Sequence, residues 1–211
     1  MPETQMTRKI LRIGLTGGMG SGKSSVAQVW LAQDAGLALI DADAISRGLT
    51  AAGGAAMPEV RRLFGEAMVA ADGGLNREAM RQQVFQDPDA RARLEGLLHP
   101  LIGAAIQAQA QAKISQGAQR LLLDIPLLVE GRSRWLPQLD AVVVVDCQPE
   151  TQIQRVVERS GLSPQVVANI LATQASRAQR RACADAVIFN DRLSWAGLNQ
   201  QISELAAHFR L

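Results

Sequence analysis

Gly17-Gly18-Met19-Gly20-Ser21-Gly22-Lys23-Ser24 packs four glycines, a lysine and a hydroxyl into eight positions and matches the string G-x4-G-K-[ST]. Glycines there leave backbone N–H groups free to close around phosphate oxygens, in conformations that a Cβ would forbid. A helix opening at the same place aims its positive dipole end at the same anion. In such a loop Gly18, Gly20, Ser21, Gly22, Lys23 and Ser24 bind the phosphates of a nucleoside triphosphate. Lys23 reaches the β and γ phosphates and takes part in catalysis, and the Ser24 hydroxyl ligates Mg2+. The chemistry implied is transfer of the terminal phosphoryl group.

Carboxylates and guanidinium groups elsewhere supply the remaining parts of such a reaction. Asp41-Ala42-Asp43 closes an apolar run, and strand alternation puts the two carboxylates on one side. They suit a general base on an acceptor hydroxyl or a support for magnesium and its waters; the competing reading is that Asp43 caps a helix over 44–49. Asp124 follows Leu121-Leu122-Leu123 and has the character of a magnesium-supporting strand-end carboxylate. Asp146 follows four valines in the same way, and either one also serves as a plain turn former. Arg155, Arg159, Arg177, Arg180 and Arg181 crowd the stretch 149–184. Planar guanidinium donors stabilise charge growing on a transferring phosphoryl group, and a solvated basic face is the alternative. His99 precedes Pro100, a pair that also fits the end of a helix.

Short apolar runs must position these groups. Residues 10–16, 37–40, 120–125, 141–145 and 186–189 read as five buried strands separated by helical stretches. They imply an α/β fold: a five-stranded parallel sheet in three layers, with ligands at the carboxyl ends of the strands. Residues 24–34 carry Val26, Val29 and Trp30 on one helical side, and 194–209 form an amphipathic terminal helix. The tract between the second and third strands is too long for a loop and reads as a helical insertion over the strand ends, with turns at Gly53-Gly54 and at 71–74. Residues 149–184 break at Gly161 and Pro164 into two helices that act as a lid. The expected division is a core of 1–48, 120–150 and 182–211, a substrate domain of 49–119, and a lid of 151–181.

With 211 residues, 47% apolar, 20% charged and a net charge of +2, the chain has the balance of an ordinary globular protein. That charge is too small to argue for wholesale nucleic-acid binding, although arginine outnumbers lysine 19 to 3. No stretch approaches the ~18 apolar residues of a membrane span. Arg8 and Lys9 are followed by no apolar segment of signal-peptide length. Cys147 and Cys183 lack metal-ligand spacing and read as free thiols. The expectation is a cytoplasmic enzyme without nucleic-acid or membrane partners, a monomer or weak homo-oligomer.

In order along nearly the whole chain, Leu15-Thr16-Gly17 to Ser24, Asp41-Ala42-Asp43, Ala71-Asp72-Gly73, Leu98-His99-Pro100, Pro126-Leu127-Leu128-Val129-Glu130, the group Gln174, Arg177 and Arg181, and Val187-Ile188-Phe189-Asn190 resemble the dephospho-CoA kinase family, with its P-loop NTPase fold. The resemblance implies ATP-dependent phosphorylation of the ribose 3′-hydroxyl of dephospho-CoA, the last step of coenzyme A synthesis. It implies Asp43 as base or hydroxyl-orienting group, with Asp41 supporting. Lys23, Arg155 and Arg177 then stabilise the transferring phosphoryl group. His99, Pro126, Leu127, Leu128 and Glu130 fall on the dephospho-CoA side, and Asn190 falls near the adenine of ATP. Ser25 stands where threonine is common and keeps the hydroxyl. Magnesium ligation is expected from Ser24, Asp41 and Asp124. A kinase of the same fold acting on a nucleoside or polyol retains every phosphate-loop argument and changes only the acceptor. A regulatory GTPase is disfavoured, because the chain has no Asn-Lys-x-Asp string. A non-catalytic nucleotide-binding module leaves the paired aspartates and the arginines without a role.

Overall fold

The computed structural model describes residues 9–209, so the segment read above for a leader, up to Arg8, lies outside the described residues. In chain order the elements begin with β1 (Leu11–Gly17), α1 (Lys23–Gln33) and β2 (Leu37–Asp41). Four helices follow: α2 (Ala42–Leu49), α3 (Met57–Phe64), α4 (Arg77–Gln86) and α5 (Pro88–Ser115). Then come β3 (Arg120–Asp124), α6 (Arg132–Trp135) and β4 (Ala141–Asp146). The chain closes with α7 (Pro149–Ser160), α8 (Pro164–Ala172), α9 (Arg177–Ala182), β5 (Ala186–Phe189) and α10 (Trp195–His208). Two compact units result, one from the residues up to Ile40 together with Lys113 onward, the other from Asp41–Ala112.

The first unit is built on a five-stranded sheet of order β2-β3-β1-β4-β5. β1 pairs in parallel with β3 and β4, and β4 with β5. Each of the five expected strands is present to within a residue at each end, because apolar runs buried on both faces leave little ambiguity. The strand order reverses at β1, so the crevice beyond its carboxyl end is where an open α/β sheet takes a ligand. Val26, Val29 and Trp30 of α1 are buried with Leu198, Ile202 and Ala206 of α10 and with Ile13, Leu15 and Val143 of the sheet. Gln33 fastens the same helix pair through Asn199 and Ser203.

One buried ion pair secures the turn from α1 into β2. Arg120, at the start of β3, donates from Nε and Nη2 to Asp34 at 3.0 and 2.7 Å, while Asp34 also accepts from the Gly36 N–H at 3.0 Å. The bidentate geometry and the extra backbone donor offset the cost of removing both charges from water.

The second unit has its own small core of Ala56, Met57, Val60, Met68 and Met80. Its two expected turns are present, with Gly53 and Gly73 in the left-handed region that favours glycine. The unit opens at Asp41 rather than 49, since Leu49 packs on this core and the Thr50 carbonyl accepts from Leu75 N–H. It ends at Ala112 rather than 119.

Three local expectations are corrected. Pro100 does not end a helix: α5 runs through it from Pro88 to Ser115. Residues 149–182 form three helices instead of two, because Ser176 and Gln179 make a reciprocal capping box that starts α9. Asp43 is not a cap: Asp41 caps α2, its carboxylate accepting from Ala44 N–H at 2.8 Å. The strand-alternation argument for the two carboxylates therefore lapses, since β2 stops at Asp41 and Asp43 lies in the first turn of α2.

Candidate active site

β1 delivers the chain into the glycine loop, and the loop delivers it into α1. Gly20 and Gly22 take φ of 78° and 90°, where a Cβ is strained. At Gly22 a Cβ would stand 2.2 Å from Asn190 Nδ2, and at Gly18 it would stand 2.5 Å from Gln152 Nε2. Gly22 is the N-cap of α1 and supplies no side chain, and the first turn of that helix carries no acidic residue. The opening N–H groups thus lack an internal side-chain cap, which suits an anion. Ser21 Oγ is buried without a hydrogen-bond partner among the described residues, a cost that a ligand oxygen would relieve. Ser24 is exposed at the start of α1, and Ser25 is half-buried behind it.

Other strand ends and the helices after β4 hold this loop by its carbonyls. Asn190, buried just after β5, donates to Ser21 O at 2.9 Å. Arg155 Nη1 donates to Ser21 O at 3.2 Å and to Gly20 O at 3.4 Å. Gln152 Nε2 donates to Met19 O at 2.8 Å, and Gln174 Oε1 accepts from Met19 N–H at 3.0 Å. Lys23 forms an ion pair with Asp124 at the end of β3, so the strand-end carboxylate and the loop lysine do meet. Arg177 pairs with Asp146 at the end of β4, and that carboxylate holds the guanidinium pKa above its usual range. Burial pushes the pKa of Arg180 down, against the opposing pull of Glu130 and Asp146. The Cys147 thiol, next in line after β4, is pushed up to about 11 by burial.

Sequence reasoning grouped Arg180 with the other arginines without a separate role. It is buried, donates from Nη1 to the Ala175 carbonyl, and its Nη2 would crowd a Cβ at Gly18. Gln152 was missed altogether; its spacing of three from Arg155 on α7, which puts both on one helical face, was the available signal.

The loop after β3 carries four of the residues expected on the acceptor side. Leu128 has 0% exposure and its Cδ1 would crowd a Cβ at Gly14, so its side chain belongs to the core. Leu127 is 53% exposed, the Pro126 carbonyl accepts from Thr16 Oγ1 at 3.1 Å, and Glu130 Oε1 accepts from Ala175 N–H at 2.7 Å. Asn190, expected near adenine, donates its amide N–H to the Ser21 carbonyl.

In the second unit Asp43 is exposed and has no hydrogen-bond or ion-pair partner among the described residues. Asp41 has one oxygen on the Ala44 N–H, and its other oxygen lies 3.8 Å from Arg47. His99 sits exposed on α5. Among the described residues no group of three or more His, Cys, Asp or Glu side chains converges on a metal position.

Comparison with known proteins matches this architecture. The sequence profile of the family described as dephospho-CoA kinase matches residues 11–194. A dephospho-CoA kinase of Bordetella pertussis is 54% identical over 181 residues, covering 85% of this chain and 81% of that protein. One from Albidiferax ferrireducens is 46% identical over 204 residues, covering 97% and 95%. The solved dephospho-CoA kinase of Campylobacter jejuni superposes with a TM-score of 0.68 at 23% identity, over 94% of this chain and 96% of that one, which speaks to the fold. From the glycine loop through the β5 edge, the chain belongs to the dephospho-CoA kinase family.

Proposed function

We propose that this chain moves the γ-phosphoryl group of ATP to the ribose 3′-hydroxyl of dephospho-CoA, releasing ADP and coenzyme A, in the cytoplasm. The observation that carries the donor half is the glycine loop itself: an uncapped helix start, an orphaned Ser21 hydroxyl and a lysine held by a strand-end carboxylate. Family membership over residues 11–194 supports the acceptor half.

The roles follow from the chemistry of the residues. The loop N–H groups and Lys23 bind and orient the β and γ phosphates. Arg155 and Arg177 supply planar donors toward charge on the equatorial oxygens. Asp43, exposed and without an ion-pair partner among the described residues, accepts the proton of the attacking hydroxyl as the hydroxyl oxygen bonds to phosphorus and the bond from phosphorus to the β,γ-bridging oxygen breaks. His99, Pro126, Leu127, Leu128 and Glu130 are assigned to dephospho-CoA, the helical second unit is assigned as the substrate domain, and α7 to α9 as the lid.

The residues fit a magnesium ion that arrives with the triphosphate. Ser24 offers an exposed hydroxyl and Asp124 a carboxylate beside Lys23, while no all-protein cage exists among the described residues. Asp41 joins this set as a proposed support through its oxygen facing Arg47. When bound, the ion neutralises charge on the β and γ oxygens. The deciding experiment is ADP release with dephospho-CoA against a panel of nucleosides and polyols. Selective stimulation by dephospho-CoA is expected; stimulation by another acceptor alone sinks the proposal.

A further inference from the structure

Asp146 is the buried carboxylate to which Arg177 and Arg181 of α9 turn. Its side chain is 2% exposed, and Arg177 Nε donates to both of its oxygens, at 2.7 and 2.9 Å. Arg181 Nη1 stands 4.0 Å from Oδ2. Two further contacts fix the plane of the Arg177 guanidinium. Gln148 Oε1 accepts from its Nη1 at 2.8 Å, and its central carbon lies 5.5 Å from the Phe189 ring centroid. These partners sit on β4, on the β4–α7 connection and on β5, so the sheet ends define where a side chain of a peripheral helix is held.

An arginine free on a helix samples many rotamers, and only a pre-set fork stabilises a transition state without reorganising. The carboxylate takes the Nε edge, Gln148 takes Nη1, and Nη2 makes no hydrogen bond among the described residues. We propose that Asp146 is a positioning residue that sets the Arg177 guanidinium so that its remaining N–H edge is presented to the transferring phosphoryl group. This rests on the reading of Arg177 as a phosphoryl-stabilising residue.

The test is a double-mutant cycle of Asp146→Asn and Arg177→Ala, read as kcat, KM for ATP and melting temperature. Alone, Asp146→Asn should lower kcat about 10-fold with ATP KM changed less than about 3-fold. In the Arg177→Ala background the same change should cost less than about 2-fold, since nothing is left to orient. Arg177→Ala leaves a buried carboxylate with only a distant partner, so the double variant should melt above the Arg177→Ala single. Gln148 is exposed, and Gln148→Ala provides a variant whose folding is not at risk. It should lower kcat about 3-fold in the parent and not in the Arg177→Ala background. Equal losses in both backgrounds, or an Asp146→Asn effect confined to melting temperature, overturn the positioning role. An unchanged kcat in Arg177→Ala alone overturns the reading of Arg177 itself, so the two failures are told apart.

Discussion

Lys23 and Asp124 meet at the mouth of the glycine loop, and the pairing keeps the ammonium beside the place where phosphates are expected. Removing it by Lys23→Ala should lower turnover at least ~100-fold, checked by steady-state ADP release, because a transition-state contact disappears. Asp43→Asn should do the same; near-normal kcat would remove its role as base. Cys147 gives a different readout. With its thiol held up at about 11 by burial, it is almost wholly protonated at neutral pH and should resist iodoacetamide in the folded protein. Peptide mapping before and after denaturation measures this, and rapid native labelling at Cys147 would contradict it. At this scale residue type and position singled out Lys23, Asp124 and the arginine group, but not the Lys23–Asp124 pairing, which depends on where β3 ends beside the loop. Nor did the sequence separate Leu127 from Leu128, since Leu-Leu-Val is apolar at three successive positions and only packing distinguishes the exposed residue from its buried neighbour.

Elements carry their own constraints. α2 begins directly where β2 ends, with Asp41 both last strand residue and cap, so no loop residues mark the change from period two to period 3.6. That is why spacing alone paired Asp41 with Asp43 on one strand face. α5 passes through Pro100, whose missing N–H frees a carbonyl one turn back at an exposed part of the helix. In the glycine loop, Gly22→Ala should weaken nucleotide binding by at least ~10-fold in titration calorimetry, since it combines a strained φ with a clash at Asn190. At the α1–β2 turn, Arg120→Ala should cost about 3–5 kcal/mol in denaturant unfolding by removing the guanidinium from the buried Asp34 carboxylate. A loss under 1 kcal/mol would show that water reaches the pair.

For the whole molecule, each unit folds around an apolar core of its own, and the sheet core includes Trp30, with 0% exposure, against which the Phe209 ring packs. The five strands and the terminal helix were legible because their apolar residues recur at the right period; the division at Asp41 was not, because it depends on which core Leu49 joins. The Lys9–Asp140 pair at 2.5 Å adds a pH-dependent clasp, since Asp140 also accepts from the Arg12 N–H at 2.9 Å. Burial pushes the Asp140 carboxyl up, but Lys9 and the Arg12 N–H outweigh it and leave the group below its usual range. A lowered folded pKa stabilises above the unfolded value of about 3.9, and this contribution fades as pH falls through the folded value. Asp140→Asn should therefore melt below the parent at pH 7, with the gap closing at acid pH in parallel thermal scans.

Met19 sits between Gln152 and Gln174, one amide donating to its carbonyl and the other accepting from its N–H. Both grips fall on the backbone, so the identity of the side chain at position 19 carries none of that information. A library of non-proline substitutions there should leave activity nearly flat, whereas the glutamines, far away along the chain, should be intolerant. Much of what fixes the phosphate loop is thus written in α7 and in the turn before α9, outside the motif by which such loops are recognised.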